Sequence, residues 1–355
     1  MLIETHNGVD ITSEQRIIVI GASAGGFDAL KKIVQNLPPD FSASIFIVWH
    51  MSPDICGVLP QVFNRLNTIA ASNAHDNEEI KPNRIYVAPP DHHMLLEKGK
   101  IRITNGPKEN RFRPAVDPLF RSAAYTYGSR VIGIILSGAL DDGTAGLWTV
   151  KKYGGITIVQ DPMEAEVPSM PESAMREVQI DHCVGVSEMP QLLVRLIKEP
   201  IIQNAIVMND DQTKKEIEIA EEVQGIRNGK LKFGDLSPYT CPECHGVLSR
   251  LQDDNIVRYR CHTGHAYSVE VLMASITEKI EDSLYCAIRC MDESIFLLNH
   301  LGDHSAAANN PQLAALYFKK AKEADDRSQP VRKAAISNEQ LNINALLKEV
   351  ENEIN

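Results

Sequence analysis

Long apolar runs are absent from this 355-residue chain. No uninterrupted stretch approaches the roughly 20 residues that a helix needs to cross a bilayer, so no membrane insertion is expected. The amino terminus also lacks the pattern of a signal peptide, because the first 15 residues are polar and include Glu4, Asp10 and Glu14. The sequence therefore favours neither an exported nor a membrane-spanning protein.

Positive charge is scarce as well. The chain has 36 Lys and Arg residues against 47 Asp and Glu residues, a formal net charge of −11. Because binding to a phosphate backbone depends on clustered basic side chains, this balance argues against a nucleic-acid partner. Cysteines number only seven, an odd count, and three of them cluster with a histidine at metal-ligand spacing. This fits a reduced, cytoplasmic setting better than a disulfide framework.

The remaining composition is ordinary for a globular protein, with 43% hydrophobic and 23% charged residues, and the length suggests two or three domains. From Arg16 to about Ile197, short β-rich runs alternate with helical patterns. This alternation predicts an α/β domain with a doubly wound, mostly parallel sheet. The predicted strands are Ile17–Ile20, Ser44–Trp49, Arg84–Ala88, Lys100–Thr104, Val131–Leu136, Ile156–Val159 and Asp181–Val186.

Composition divides the chain into four segments. Residues 14–198 form the predicted α/β domain, and residues 199–236 form a polar linker with room for a short exposed helix. Residues 237–268 hold the cysteine and histidine cluster on a predicted small β-ribbon. In residues 269–355, apolar side chains recur at steps of three and four, which predicts an α-helical hairpin with a turn at 302–310. The apolar face of this hairpin is wide enough to pair with another copy of the chain, a homo-oligomer, or with a receptor.

A glycine-rich turn, GASAGG at residues 21–26, connects the first predicted strand to a helix. Such turns either admit a phosphate to the amides of the helix N-terminus or expose a serine hydroxyl beside those amides. The turn lacks the G-x-G-x-x-G order of a dinucleotide site and the Lys-Ser/Thr pair of a P-loop. The second strand is followed by His50, not by the acidic residue that would bind a ribose, which also counts against a nucleotide-binding protein.

Three polar residues follow separate predicted strands. Ser23 follows the first strand, His50 the second, and Asp142 lies just past Val131–Leu136. Because the carboxyl ends of parallel strands meet at one sheet edge, the three side chains can converge there, with Ser23 attacking, His50 taking its proton and Asp142 orienting the imidazole. Each residue also has a structural interpretation, as a small turn residue, a buried structural histidine or a helix-capping aspartate. Their equivalent positions favour the catalytic hypothesis.

Six stretches carry a more specific pattern: GASAGG at 21–26, VWHM at 48–51, IYVAPPDHHMLLE at 85–97, RPAVDPLFRSAA at 113–124, LSGALDDGTAGL at 136–147 and VQDPMEAEVPSMPESA at 159–174. In this order, over about residues 16–195, they resemble the CheB-type catalytic domain, the protein-glutamate methylesterase of bacterial chemotaxis. The resemblance implies hydrolysis of glutamate methyl esters on a methylated chemoreceptor or related sensory protein, deamidation of receptor glutamines, and no organic cofactor. Its nucleophile falls on Ser23, its histidine on His50 and its acid on Asp142.

The chain also departs from the better-known members of that family. Ala24 stands where they have threonine. The loop at 138–141 reads Gly-Ala-Leu-Asp, whereas the corresponding loop in those members usually contains methionine and asparagine. About 15 residues precede the first strand, so a stand-alone form without the regulatory receiver domain is expected. The candidates for an oxyanion site are the backbone amides of Ala24, Gly138, Ala139 and Leu140. These departures keep an alternative open, a catalytically weak signalling or binding module that acts through the cysteine and histidine segment at 237–268 and through the helical hairpin at 269–355, the helical tail.

Two half-sites make up the cysteine and histidine cluster. Cys241 and Cys244 form a C-x2-C knuckle, and after sixteen intervening residues Cys261 and His265 form a C-x3-H pair. Three thiolates and one imidazole are the closed, tetrahedral ligand set of a structural zinc ion. His262 is the alternative fourth ligand, but the segment GHAY at 264–267 resembles carboxyl extensions of stand-alone methylesterase-like proteins and favours His265. Such a short segment buries too little core to fold unaided, and zinc supplies about 10–16 kcal/mol in comparable sites.

Overall fold

The computed structural model describes residues 15–50, 58–66, 68–201, 210–221 and 234–339, together with residues 343 and 346. The chain divides between Val271 and Leu272 into two compact units. The first unit contains the predicted α/β domain and the β-ribbon, and the second contains most of the helical hairpin. None of the helices among the described residues is both long enough and apolar enough to span a membrane.

The first unit is built from strands and helices that alternate along the chain. Its strands are β1 (Ile17–Ala22), β2 (Ser44–Trp49), β3 (Ala70–Asn73), β4 (Arg84–Val87), β5 (His93–Glu97), β6 (Lys100–Thr104), β7 (Val131–Ile135), β8 (Ile156–Gln160), β9 (His182–Val184), β10 (Asp235–Thr240), β11 (Val247–Asp253), β12 (Ile256–Cys261) and β13 (Ala266–Ser268). Its helices are α1 (Gly26–Gln35), α2 (Val58–Arg65), α3 (Val116–Tyr127), α4 (Thr144–Lys152), α5 (Ser169–Glu177), α6 (Met189–Leu196) and α7 (Asp211–Glu221).

Seven parallel strands form the main sheet in the order β3-β4-β2-β1-β7-β8-β9. Successive side chains alternate between its faces, so that Ile18 and Ile20 pack against α1, α2 and α6, whereas Ile17 and Val19 pack against α3, α4 and α5. Because helices cover both faces, the central strands are apolar throughout, which is why they read as continuous Ile/Val runs. The prediction of a doubly wound, mostly parallel sheet is confirmed.

Three strands of the α/β domain differ from the sequence prediction: β6 lies outside the main sheet, and neither β3 nor β5 was predicted. Lys100–Thr104 is a strand, but it pairs antiparallel with β5 in a separate hairpin and is not part of the parallel sheet. Gly99, with φ +75°, makes the tight turn that joins the two strands, and glycine adopts such a value without strain. Strand β3 was not predicted, because Ala-Ala-Ser-Asn contains no β-branched or aromatic residue, and only its pairing with β4 makes it a strand.

The predicted polar linker contains a packed helix. Helix α7 buries Thr213, Glu216, Ile219 and Ala220, so it is not the exposed helix that the composition indicated. Glu216 is only 1% exposed because the guanidinium groups of Arg121 and Arg258 neutralise its carboxylate. A charged residue that is buried through such pairing cannot be recognised from a charge-rich sequence. The other parts of this segment, 202–209 and 222–233, lie outside the described residues.

The β-ribbon is a four-stranded antiparallel sheet, β10-β11-β12-β13. The helical hairpin follows as α8 (Val269–Ala307) and α9 (Pro311–Ile336), and both the ribbon and the hairpin agree with the predicted fold class. The turn between the helices is shorter than the predicted 302–310, because α8 continues through Gly302 and the turn covers only residues 308–310. A Cβ at Gly302 would lie 2.6 Å from the ring of Phe318. Asn310 begins α9 by accepting a hydrogen bond from the Leu313 amide.

Candidate active site

Ser23 lies in the turn between β1 and α1, at the carboxyl edge of the main sheet. Its amide donates to the Ser137 carbonyl (2.9 Å), and its own carbonyl accepts from the Gly26 amide (3.0 Å). Gly25 closes the turn at φ +73°, where a Cβ would also lie 2.6 Å from Ser137 Oγ. Backbone bonds to the neighbouring loop therefore fix the position of the serine, and the glycines provide the space for it.

His50 is the residue that follows β2, the strand next to β1. Its amide donates to the Ala22 carbonyl (3.0 Å), which extends the parallel pairing of the two strands by one step. The indole Nε1 of Trp49 donates to the Ser23 carbonyl (3.1 Å). The imidazole is nearly buried, with 4% of the side chain exposed. Strand pairing alone thus places the serine and the histidine side by side.

Asp142 lies in the loop between β7 and α4 and is fully buried. Its Oδ2 accepts from His50 Nε2 (2.8 Å) and from the Val116 amide (2.7 Å), and its Oδ1 accepts from Asn110 Nδ2 (2.8 Å). Because a carboxylate only accepts, His50 Nε2 carries the proton, and Nδ1 of the neutral ring is then the free acceptor. Leu140 (φ +64°) and Gly143 (φ +95°) give the loop the shape that turns the carboxylate inward.

The nitrogen that would act as a base is available. His50 Nδ1 is buried and has no hydrogen-bond partner among the described residues, so it does not bond Ser23 Oγ in this structure. Catalytic hydrogen bonds are often longer in a free enzyme and tighten when the substrate binds. Both side chains line one cavity of about 420 Å³, whose walls are Ser23, Ala24, Gly25, Phe27, Trp49, His50 and Phe112. The structure thus brings the three predicted residues to one sheet edge.

The loop that was predicted to help form an oxyanion site lies beside Ser23. A Cβ added at Gly138 would lie 2.8 Å from the Cβ of Ser23 and 2.0 Å from Met170 Sδ, so only glycine fits there. The Gly138 amide donates to the Val167 carbonyl (2.9 Å), so its hydrogen is already used in a bond within the protein. Ala24 and Ala139 are exposed, and Leu140 is half-buried.

Two further carboxyl groups lie near the His50–Asp142 pair, those of the buried Asp117 and the half-buried Asp141. Burial and the charge of Asp142 raise the pKa of Asp117 to about 7, although Asp117 accepts from the Gly146 amide (2.6 Å) and from Asn110 Nδ2 (2.9 Å). Burial and the nearby Glu270 raise the pKa of Asp141 well above its usual range. These two groups hold protons more strongly than ordinary carboxyl groups. The negative charge near the His50 imidazole is therefore smaller than it would be if every carboxyl group were ionised.

Asn110 and Phe112 were not among the site residues predicted from the sequence. Asn110 donates to the Asp142 carboxylate, and Phe112 stacks on the His50 ring. Both residues precede the stretch 113–124 that carries the resemblance, in Glu109-Asn110-Arg111-Phe112. A search for polar and aromatic residues directly upstream of that stretch would have identified them.

The four predicted metal ligands come together in the ribbon. One ligand atom from each of Cys241, Cys244, Cys261 and His265 lies within 4.8 Å of the others. The alternative ligand, His262, is exposed and packs over Gly246 outside this group. None of the three cysteines is in a disulfide. This donor set could hold a zinc ion.

Residues 18–193 match the sequence profile of a family described as "CheB methylesterase". A Leptospira interrogans protein, provisionally named a protein-glutamate methylesterase/protein-glutamine glutaminase, is 40% identical over 180 residues, which is 50% of this chain and 93% of that protein. A Thermotoga maritima protein-glutamate methylesterase/protein-glutamine glutaminase is 37% identical over 186 residues, 51% of this chain and 54% of that protein. The chain thus spans about half the length of the Thermotoga relative.

A solved structure resembles the same half of the chain. The crystal structure of the Thermotoga maritima CheB methylesterase catalytic domain matches with a TM-score of 0.50 and 36% sequence identity, over 51% of this chain and 98% of that domain. The residues matched by the family profile are those of the α/β domain and include Ser23, His50 and Asp142. The ribbon and the helical hairpin follow them.

Proposed function

This chain belongs to the CheB methylesterase family, and we propose that it is a serine hydrolase that removes methyl esters from glutamate side chains of a chemoreceptor-type protein. The observation that carries the proposal is the His50–Asp142 hydrogen bond (2.8 Å), which leaves His50 Nδ1 as an acceptor at the cavity that Ser23 also lines. Relatives named for this activity support the same reaction.

The proposed reaction proceeds in two steps. Ser23 Oγ attacks the ester carbonyl while His50 Nδ1 takes its proton, and the same proton leaves with methanol. Water then attacks the acyl-enzyme, His50 again serves as the base, and the free glutamate departs. Asp142 keeps the proton on Nε2 and stabilises the imidazolium that forms in each step. Deamidation of glutamine follows the same course, with ammonia as the leaving group.

Backbone amides are proposed to stabilise the tetrahedral intermediate. Ala24, at the helix N-terminal turn, and Ala139 and Leu140, in the loop after β7, are the proposed donors, and one such donor is worth about 10²–10³ in rate. Because the Gly138 amide donates to Val167, Gly138 is assigned a different role: its missing side chain makes room for the Ser23 side chain.

The cavity suits a small ester at the end of a flexible side chain. Phe27, Trp49 and Phe112 give it apolar walls, which fit the methyl and methylene groups of a methylated glutamate. The names of the relatives identify glutamate esters and glutamine amides in proteins as their substrates. We therefore infer a methylated chemoreceptor, or a related sensory protein, as the partner, and the cytoplasm as the place of reaction.

The rival proposal is a signalling or binding module with little catalysis, which acts through the ribbon and the helical tail. The hydrogen-bonded His50–Asp142 pair argues against it, since a module that only binds has no need of a buried acid that orients a histidine. Fluorophosphonate labelling separates the two proposals. An esterase is labelled at Ser23, whereas a binding module is not.

The decisive experiment measures methanol release from a methylated receptor. Ser23→Ala should lower the rate on the order of 10⁴-fold or more, because the nucleophile is lost. Ser42→Ala, a change of the same size at an exposed loop position, should retain the wild-type rate. Equal rates for Ser23→Ala and the wild type would rule out the mechanism, provided that both proteins have the same circular dichroism spectrum.

Pairing of the helical tail with a second copy stays a prediction. Phe296 and Leu297 on α8 are 72% and 59% exposed, and Phe318 on α9 is 40% exposed. Apolar side chains of this size, grouped on a surface, are typical of interaction sites. Light scattering should give a dimer mass for the wild type and a monomer mass for Phe296→Glu, and a monomeric wild type would contradict the pairing.

A further inference from the structure

The cysteine and histidine cluster has the dimensions of a zinc site. The distance from Cys244 Sγ to Cys261 Sγ is 3.6 Å, and His265 Nδ1 lies 3.6 Å from both Cys241 Sγ and Cys261 Sγ. Zinc bonds of about 2.3 Å to sulfur and 2.0 Å to nitrogen separate tetrahedral ligand atoms by roughly 3.5–3.8 Å. These three distances match that spacing, and all four ligand atoms lie within 4.8 Å of one another.

Buried ion pairs attach the ribbon to the α/β domain. On β12, Arg260 pairs with Glu109 (3.0 Å) and Arg258 with Glu216 (2.8 Å). Arg121 of α3 pairs with both of these glutamates, at 2.8 and 2.9 Å. All five side chains are at most 10% exposed. Because a buried charge without a partner is costly, these groups hold the ribbon in one position on the domain.

The last ribbon strand, β13, reaches the loop that supports the triad. The Asn110 amide donates to the Ala266 carbonyl (2.8 Å), and the Ala266 amide donates to the Lys108 carbonyl (3.2 Å). The Ser268 amide donates to Asn110 Oδ1 (2.9 Å). Since that bond assigns the oxygen of the side-chain amide, its Nδ2 faces the carboxylates and donates to Asp142 Oδ1 (2.8 Å). Asn110 is 3% exposed, so water does not replace these bonds.

A second contact joins β13 to the triad loop. Ser268 Oγ donates to Asp141 Oδ1 (2.6 Å), one residue before Asp142. The same hydroxyl accepts from the Val271 amide at the start of α8 (3.0 Å). One short strand, only a few residues after Cys261 and His265, therefore contacts both the residue beside the catalytic acid and the asparagine that holds it.

We propose that a zinc ion bound by Cys241, Cys244, Cys261 and His265 locks the ribbon, and that the locked ribbon positions the Asp142 carboxylate through Ser268 and Asn110. Asn110 is then a positioning residue for the catalytic pair. The metal site is independent of the proposed function, whereas the positioning role of the ribbon rests on the proposed function. The ribbon thereby becomes part of the catalytic unit, and the esterase depends on its metal.

Metal content tests the first part. Protein purified without chelators should contain about one zinc ion per chain, as should Cys183→Ser, which changes an exposed cysteine outside the cluster. Cys244→Ser should contain much less. Where Cys244→Ser does not fold, cobalt added to chelator-treated wild type should give the visible absorption of a tetrahedral cobalt–thiolate complex. A wild type without zinc, or without this absorption, would overturn the metal site.

The second part is tested by Asn110→Gly, because glycine tolerates the φ of +50° at this position and removes only the side-chain amide. In methanol release, kcat should fall about tenfold or more with KM unchanged. The acid limb of the kcat–pH profile should move to higher pH, since a carboxylate that has lost a hydrogen-bond donor attracts the proton of the neighbouring imidazolium more strongly. Asn105→Gly makes the same change at an exposed position in this loop and should alter neither quantity.

The outcomes separate this inference from the proposed function. A wild type that is no faster than Ser23→Ala would end the proposed function, and the catalytic part of the inference with it. An active wild type together with a folded Asn110→Gly protein of unchanged kcat and pH profile would overturn the positioning role alone. Folded Cys244→Ser that has lost zinc should show the same shift of the acid limb, and an unshifted profile would disconnect the metal from the triad.

Discussion

The phenyl ring of Phe112 lies flat on the imidazole of His50, with ring centroids 3.7 Å apart and planes inclined by 8°. This contact covers one face of the imidazole and leaves its edge free, so that Nε2 bonds Asp142 and Nδ1 stays available. Stacking thus restrains the imidazole perpendicular to its plane, and the hydrogen bond to Asp142 restrains it within the plane. Phe112 therefore helps to fix the orientation of the His50 ring.

Removing this stack should slow catalysis. Aromatic pairs contribute about 0.5–1.5 kcal/mol beyond the burial of their surface, so Phe112→Ala should lower kcat by roughly three- to tenfold as the imidazole gains freedom. Phe112→Tyr preserves the ring and should stay close to the wild type. Methanol release at saturating substrate measures the effect, and equal losses in the two variants would contradict a role for stacking.

Crowding the loop after β7 should also harm the site. Gly138→Ala places a Cβ 2.8 Å from that of Ser23 and 2.0 Å from Met170 Sδ, so the loop must move. We expect a loss of about 1–3 kcal/mol in the free energy of unfolding and slower fluorophosphonate labelling of Ser23. Gly99→Ala is the control: it is strained at φ +75° but meets nothing within 4 Å, so it should lose stability without slower labelling. Unchanged labelling of Gly138→Ala would contradict the proposed role of this loop.

The protonation of Asp117 should make stability depend on pH. Burial and the charge of Asp142 raise its pKa to about 7 in the folded protein, above the ordinary value of 3.8. Between these values the folded protein holds more protons than the unfolded chain. The contribution of this group is therefore fully present below pH 4 and is lost as the pH rises to about 7, a change on the order of 4 kcal/mol.

Asp117→Asn should remove this dependence while keeping an oxygen for the Gly146 amide. Urea unfolding between pH 4 and 8 should show the variant gaining stability relative to the wild type as the pH rises. Parallel curves for the two proteins would contradict the raised pKa.

Glu216 should be essential for attaching the ribbon. Although burial opposes it, the guanidinium groups of Arg258 and Arg121 lower the pKa of Glu216 to about 2. Its contribution is thus present above about pH 4.5 and is lost as the pH falls towards 2. Glu216→Gln leaves two buried guanidinium groups with less countercharge and should cost about 3–5 kcal/mol in the free energy of unfolding at neutral pH.

Asp211→Asn is the matched control for Glu216→Gln. It makes the same kind of change at an exposed position on the same helix, where only the interaction with the helix dipole is lost, and should cost less than about 1 kcal/mol. Chemical denaturation measures both variants. Similar small losses in the two would show that the buried network does not stabilise the protein.

The sequence alone determined the parts of this protein that depend on local pattern. Continuous Ile/Val runs, such as those of β1 and β2, specified strands buried on both faces, and alternation with helices specified the parallel sheet. The parallel topology then made it possible to predict that Ser23, His50 and Asp142 face one edge. The spacing of Cys241, Cys244, Cys261 and His265 likewise identified one group of side chains, which the structure brings together.

Only the tertiary structure decided which side chains support these groups. Asn110 reaches Asp142 across 32 residues and Ser268 across 158, and Glu216 is buried by arginines from α3 and β12. Such contacts depend on how separate elements pack, and neither the period of a strand nor the spacing of a motif records them. A hydrogen bond or ion pair is directional and short in range, so it exists only once the fold has brought its two partners within about 3 Å.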